Sequence, residues 1–95
     1  MHIITRKRLN EFAEKHPDTK PALQHWYRWM KSGRVHSFVE LRAIFPSADP
    51  VGKLTVFNIG GGKARLIAAI HYNRQKVYIR AVLPHDEYEK GKWKE

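Results

Sequence analysis

Apolar residues recur at helical spacing through the first half of the chain, then gather into strand-length runs through the second. Leu9, Phe12 and Ala13 fall at i, i+3 and i+4, with Thr5 placed to cap the turn before them and Pro17 to close it. Leu23, Trp26, Tyr27 and Met30 fall at i, i+3, i+4 and i+7, so they share one face of a second helix. That helix is predicted to start at Asp18 or Thr19, to tolerate Pro21 in its first turn and to end at Gly33. Ser37-Phe38-Val39-Glu40 spells a capping box for a third, short helix that Pro46 stops.

The pattern then changes. Leu54 to Ile59, Ala64 to Tyr72 and Lys76 to Leu83 are rich in Val, Ile, Tyr and Phe. The breaks at Gly60-Gly61-Gly62 and Asn73-Arg74-Gln75 predict an antiparallel meander, to which Ile3 and Ile4 add a candidate edge strand. The expected fold is α+β: two to three N-terminal helices packed on one face of a small twisted antiparallel sheet of three or four strands. Strict alternation sorts the side chains. Leu66, Ala68 and Ile70 with Val77, Ile79, Ala81 and Leu83 form the dry face; Arg65, His71, Lys76, Tyr78 and Arg80 share the other.

Length and composition narrow the class. Ninety-five residues, 42% of them hydrophobic, predict a single domain over residues 1–95. Its core buries roughly 60–70% of the unfolded surface. The longest apolar run, Leu66 to Ile70, is far too short to span a bilayer. MHIITRKR lacks the apolar stretch of a secretory signal, so the expected location is cytoplasmic and away from membranes. With no cysteine, disulfides, thiol nucleophiles and thiolate metal sites are excluded. His2, His16, His25 and His36 lie on separate segments without ligand spacing, so no metal site and no cofactor are expected.

Charge changes the picture most. Eighteen Lys and Arg face nine Asp and Glu, a net charge of +9. The excess is spread evenly over both halves of the chain, which points to a polyanionic partner, nucleic acid first and an acidic protein second. Gly60-Gly61-Gly62-Lys63 resembles the spelling of a phosphate loop, but Ala64 stands where Ser or Thr is needed and a strand follows instead of a helix. The glycines therefore read as a hairpin turn with basic residues leaving it.

Several motifs together carry a family resemblance. They are Phe57-Asn58-Ile59-Gly60-Gly61 with Lys63, Arg65 and Leu66; His71-Tyr72 with Val77-Tyr78-Ile79-Arg80; and His85 with Glu87-Tyr88. With Ile3-Ile4-Thr5-Arg6 and Phe45-Pro46-Ser47-Ala48, they make the chain similar, nearly end to end, to the HigB toxins of the RelE-like superfamily. The resemblance implies a RelE-like fold and an endoribonuclease that cuts mRNA, in most relatives in the ribosomal 30S A site. It also implies a cognate HigA-type helix-turn-helix antitoxin, with operator DNA reached only through the antitoxin complex. Cleavage in such enzymes runs by attack of the 2′-OH on the adjacent phosphate and uses no metal.

That chemistry needs a base, an acid and cations around the phosphorus. By the resemblance, Arg65 stabilises the phosphate, His85 is acid or base, and Tyr88 orients the phosphate or stacks on a base. Lys63, Arg80, His71 and Lys92 are candidate RNA contacts. Asn58 reads as a buried amide holding the hairpin, and Tyr27, Trp26 and Trp29 as helix packing. Trp93, with Lys90, Lys92 and Lys94, reads equally as a grip on ribosomal RNA or a solvated tail. The family's C-terminal motif has Thr before the histidine and Asp after the tyrosine, where this chain has Pro84 and Glu89. Two other readings remain open: a non-catalytic nucleic-acid-binding module, and a gyrase-directed toxin on the same fold.

Overall fold

The computed structural model describes residues 1–94, the side chain of Lys94 excepted. In chain order the elements are β1 (His2–Ile4), α1 (Arg6–Lys15), α2 (Lys20–Ser32), α3 (Phe38–Ile44), β2 (Asp49–Val51), β3 (Leu54–Ile59), β4 (Ala64–His71), β5 (Lys76–Pro84) and α4 (His85–Glu89). A single 3₁₀ turn at Pro17–Thr19 leads into α2, and others fill the connections from Ile59 to Ala64 and from His71 to Lys76. The α+β architecture is as expected, but the sheet has five strands in the order β1-β5-β4-β3-β2. It is also mixed: β1 runs parallel to β5, and the remaining pairs are antiparallel. The short β2, whose Pro50 can sit only at an edge, carried no strand signal.

The helices begin and end largely by local chemistry. Pro21 sits in the first turn of α2, and the Gly33 amide closes the helix on the Trp29 carbonyl. The Ser37 hydroxyl accepts from the Glu40 amide at 3.2 Å, as a capping box requires. The Glu40 carboxylate reaches back one residue further than expected, to the His36 amide at 3.2 Å. Thr5 departs from expectation. It takes a left-handed conformation (φ 67°), and its hydroxyl donates to the Ile4 and Ile79 carbonyls instead of capping α1. That bond to β5 fixes where α1 leaves the sheet.

The core lies between the helices and one face of the sheet. Leu9 and Phe12 of α1, Leu23, Trp26 and Met30 of α2 and Leu41 of α3 meet Phe57, Ile59, Leu66, Ala68, Val77 and Ile79. Trp26 and Phe45 both set ring edges against Phe57, at 5.4 and 5.3 Å between centroids. Trp29, expected to pack, stands 48% exposed instead.

One irregularity corrects the strict alternation. Ile67 pairs with Ala81 and Ala68 with Ile79, so Arg80 is an extra residue in β5, a β-bulge. Between residues 76 and 79 the faces fall as expected. Beyond the bulge they reverse: Val82 joins the core, while Leu83 lies opposite Arg65 on the other face. A single added residue exchanges the two sides of every side chain after it.

Candidate active site

The site is built where β4 leaves the glycine turn and α4 leaves β5. Gly60, Gly61 and Gly62 all have positive φ, the backbone of a tight hairpin link. From that turn β4 carries Arg65 out on the face away from the helices, between Asn58 of β3 and Leu83 of β5. The Arg65 guanidinium turns back on the loop, donating from Nη1 to the Gly62 carbonyl at 3.0 Å and to the Ala64 carbonyl at 3.3 Å. Among the described residues no carboxylate pairs with it, so its positive charge is held in place and left uncompensated.

The helix α4 completes the cluster. Pro84 ends β5 opposite Ala64, and its fixed φ of −65° serves as the N-cap of α4. The next residue, His85, donates its backbone amide to the Lys63 carbonyl at 3.3 Å, which ties the start of α4 to the turn. Its imidazole is half-exposed, with Nε2 at 3.6 Å from a Glu89 carboxylate oxygen. One turn on, the Tyr88 ring lies 5.2 Å from the Arg65 guanidinium carbon. Trp93 stacks on Tyr88, with centroids 5.2 Å apart and planes within 13°, and its indole N–H donates to the Tyr88 carbonyl at 3.0 Å. Indole, phenol and guanidinium are thus linked by successive contacts, the last at a cation–π distance.

Arg65 and Tyr88 are thus in contact, while His85 lies one turn before Tyr88 on α4 with its imidazole beside Glu89. The candidate RNA contacts divide. Lys63 reaches Asp18, in the turn before α2, at 3.5 Å. Both side chains are more than half exposed, so the pair is weak, yet it draws the ammonium away from Arg65. His71 and Arg80 lie on the same sheet face as Arg65, His71 at the far end of β4 and Arg80 at the middle of β5, three residues or about 10 Å from Leu83, the partner of Arg65. Six residues of strand separate Arg65 from His71, about 20 Å. Val56, Ile67 and Ala81 occupy the row between. Lys92 is exposed beyond Gly91. Asn58, read as a buried amide, is exposed beside Arg65. Trp93 is the contributor that sequence reasoning left open; the aromatic pair Tyr88 and Trp93 flanking Gly91 was its only trace.

The sequence model of the HigB toxins, described as the RelE-like toxic component of a toxin–antitoxin system, matches residues 19–91. The chain is 39% identical over 92 residues to the mRNA interferase toxin HigB of Escherichia coli (strain K12), covering 94% of this chain and 88% of that one. The mRNA interferase HigB of Shigella flexneri matches to the same extent. That of Escherichia coli O6:H1 is 32% identical over 93 residues, 95% of this chain and 90% of its own. The match covers every element of the site from the glycine turn through Tyr88 to Gly91, and the chain belongs to the HigB family of RelE-like toxins, the toxic components of toxin–antitoxin systems.

Proposed function

We propose that this toxin is an endoribonuclease that cuts mRNA, acting in the cytoplasm on messages in the ribosomal 30S A site. In this reading a HigA-type helix-turn-helix antitoxin silences it. The observation that carries the chemistry is the Arg65 guanidinium, anchored on two carbonyls, uncompensated by any described carboxylate and set against Tyr88, on the same short helix as His85. The names of the curated relatives, mRNA interferases, support the substrate.

The proposed reaction breaks one P–O bond and forms another. A base takes the proton of a ribose 2′-OH, and the 2′-oxygen bonds to the adjacent phosphorus. The bond from phosphorus to the 5′-oxygen then breaks, and an acid protonates that oxygen. The products are a 2′,3′-cyclic phosphate and a 5′-OH end, with no change of oxidation state. Arg65 stabilises the charge that grows on the phosphoryl oxygens in the transition state. The accessible His85 imidazole is suited to move one of the two protons. Tyr88, in contact with the Arg65 guanidinium, orients the same phosphate or stacks on a base.

The test is induced expression followed by mapping of mRNA ends, with Arg65→Ala and His85→Ala beside the parent protein. Losing one preorganised donor costs about 10²–10³ in rate, and losing a general acid or base about 10²–10⁴. Both variants are expected to stop cleavage and relieve growth arrest. Cleavage by both at the parent level would overturn the assignment. Intact mRNA in the presence of growth arrest by the parent protein would overturn the activity itself.

A further inference from the structure

A second cationic cleft lies on the same sheet face, away from the cluster around Arg65. It encloses about 320 Å³ between the first turn of α1 and the β4–β5 pair, and is lined by Thr5, Arg8, Ala69, His71, Tyr78 and Arg80 among others. His71 and Tyr78 meet edge to face, with centroids 5.2 Å apart and planes at 77°. His71 is exposed and Tyr78 half-buried, so the pair is an aromatic wall fixed on one side and open on the other. Arg80 is the bulge residue of β5, which leaves it without a partner in β4 and re-aims its side chain. Neither Arg8 nor Arg80 makes an ion pair among the described residues, although carboxylates elsewhere on the surface pair with Lys7, Lys63 and Lys90.

We infer that this cleft is a second RNA subsite: it holds a nucleotide of the same single strand, several positions from the bond being cut. The inference rests on the endoribonuclease reading above and extends it. Single-stranded RNA is gripped by an aromatic platform for a base together with cations for the backbone, and the cleft supplies both in one place. The bulge gives β5 a device for pointing a cation at the backbone at this position. The distance from Arg65 sets the span. Arg80 lies about 10 Å and His71 about 20 Å along the strands, which at about 3.4 Å per stacked nucleotide corresponds to about three to six nucleotides, and to fewer in an extended strand. An acidic protein segment would find cations here too, but only a narrow aromatic wall and no broad apolar floor, so RNA is the better fit.

The experiment titrates the full-length toxin with two fluorescent RNAs made uncleavable by 2′-O-methylation, one of about three nucleotides and one of about twelve. The parent protein is expected to bind the long RNA more tightly. Tyr78→Ala should weaken the long RNA by roughly 5- to 100-fold, the range for one lost base stack, with the loss confined to that RNA. Arg80→Glu, a change at an exposed position, guards against a Tyr78 variant that fails to fold. Arg80→Ala should reduce the salt dependence of long-RNA binding by about 0.7 in log–log slope. Equal affinity of the parent for both lengths, or equal losses for both in the variants, would overturn the subsite. Unchanged RNA binding with a weakened antitoxin complex in Arg80→Glu would assign the cleft to protein and overturn it as well. The endoribonuclease reading fails on a different readout, the absence of mRNA cleavage by the parent protein, so the two failures are distinguishable.

Discussion

Gly62 has φ 102°, a backbone conformation that side-chain-bearing residues seldom adopt, and a Cβ there would lie 3.6 Å from Nη1 of Arg65. The same residue's carbonyl accepts the guanidinium at 3.0 Å. The turn and the candidate catalytic cation are therefore one unit, and a change in the turn is a change in the site. Gly62→Ala is expected to lower stability by about 1 kcal/mol or more through backbone strain. Cleavage should fall by roughly 10- to 100-fold beyond what the lost folded fraction explains, because relaxing the strained φ shifts the Gly62 carbonyl that anchors the guanidinium. The check is a urea titration beside a cleavage assay on the same preparation. Gly61, also at positive φ (68°) but with open space around it and no bond to Arg65, is the control: its alanine variant should lose stability while its folded fraction keeps its activity. Trp93 works on the other side of the stack. It touches Tyr88, not the reacting atoms, so it is a positioning residue. Trp93→Ala should lower kcat by about 10-fold or more with KM little changed, and Trp93→Phe should restore most of it by keeping a stacked ring. Loss of KM alone in Trp93→Ala would point to a substrate contact instead.

At the scale of elements, the clearest signals were those written in neighbouring residues. The i, i+3, i+4, i+7 run in α2, the Ser37 cap and the three glycines between β3 and β4 each specify their structure within a few positions. Ser37→Ala is expected to cost about 1 kcal/mol by leaving the Glu40 amide without its acceptor. Melting should then occur about 4–8 °C lower with the site unaffected. Ser37→Gly should cost only a few tenths. What stayed hidden depends on distant partners. The parallel addition of β1 is secured by the His2 amide on the Gln75 carbonyl and by the Gln75 side chain on the Val35 carbonyl, contacts between segments far apart in the chain. The bulge at Arg80 is invisible in β5 alone, because Val77 to Leu83 reads as one alternating or continuous apolar strand whichever face Val82 takes. Only the partner strand, with Leu66 and Ala68 both inward, forces the extra residue out. The same logic divides the site. Arg65, His85 and Tyr88 could be named from motifs, whereas the stacking of Trp93 on Tyr88 and the separation of His71 and Arg80 into a second cleft arise from how α4 and β5 fold back.

At the scale of the whole molecule, the sheet separates two tasks that successive residues of one strand must share. Arg65 faces the proposed substrate; Leu66, its immediate neighbour, is fully buried under the helices. The three N-terminal helices α1, α2 and α3 pack on the inner face of the sheet, and none of the residues of the Arg65 cluster belongs to that core. Two substitutions one position apart should therefore abolish toxicity for opposite reasons. Leu66→Ala removes a side chain from a closed core and is expected to cost about 2–5 kcal/mol. In a chain of this size that lowers the melting temperature by at least about 8 °C, and it should reduce the amount of folded toxin and of antitoxin complex together. Arg65→Ala removes a half-exposed cation whose bonds are to its own loop. Its melting temperature should stay within a few degrees of the parent, and it should still be captured by the antitoxin while cutting no RNA. A thermal melt and an antitoxin pull-down on the pair resolve the two routes. If Arg65→Ala melted as low as Leu66→Ala, the guanidinium would be a structural strut of the glycine turn, and the chemistry would have to be sought at His85 and Tyr88 without it.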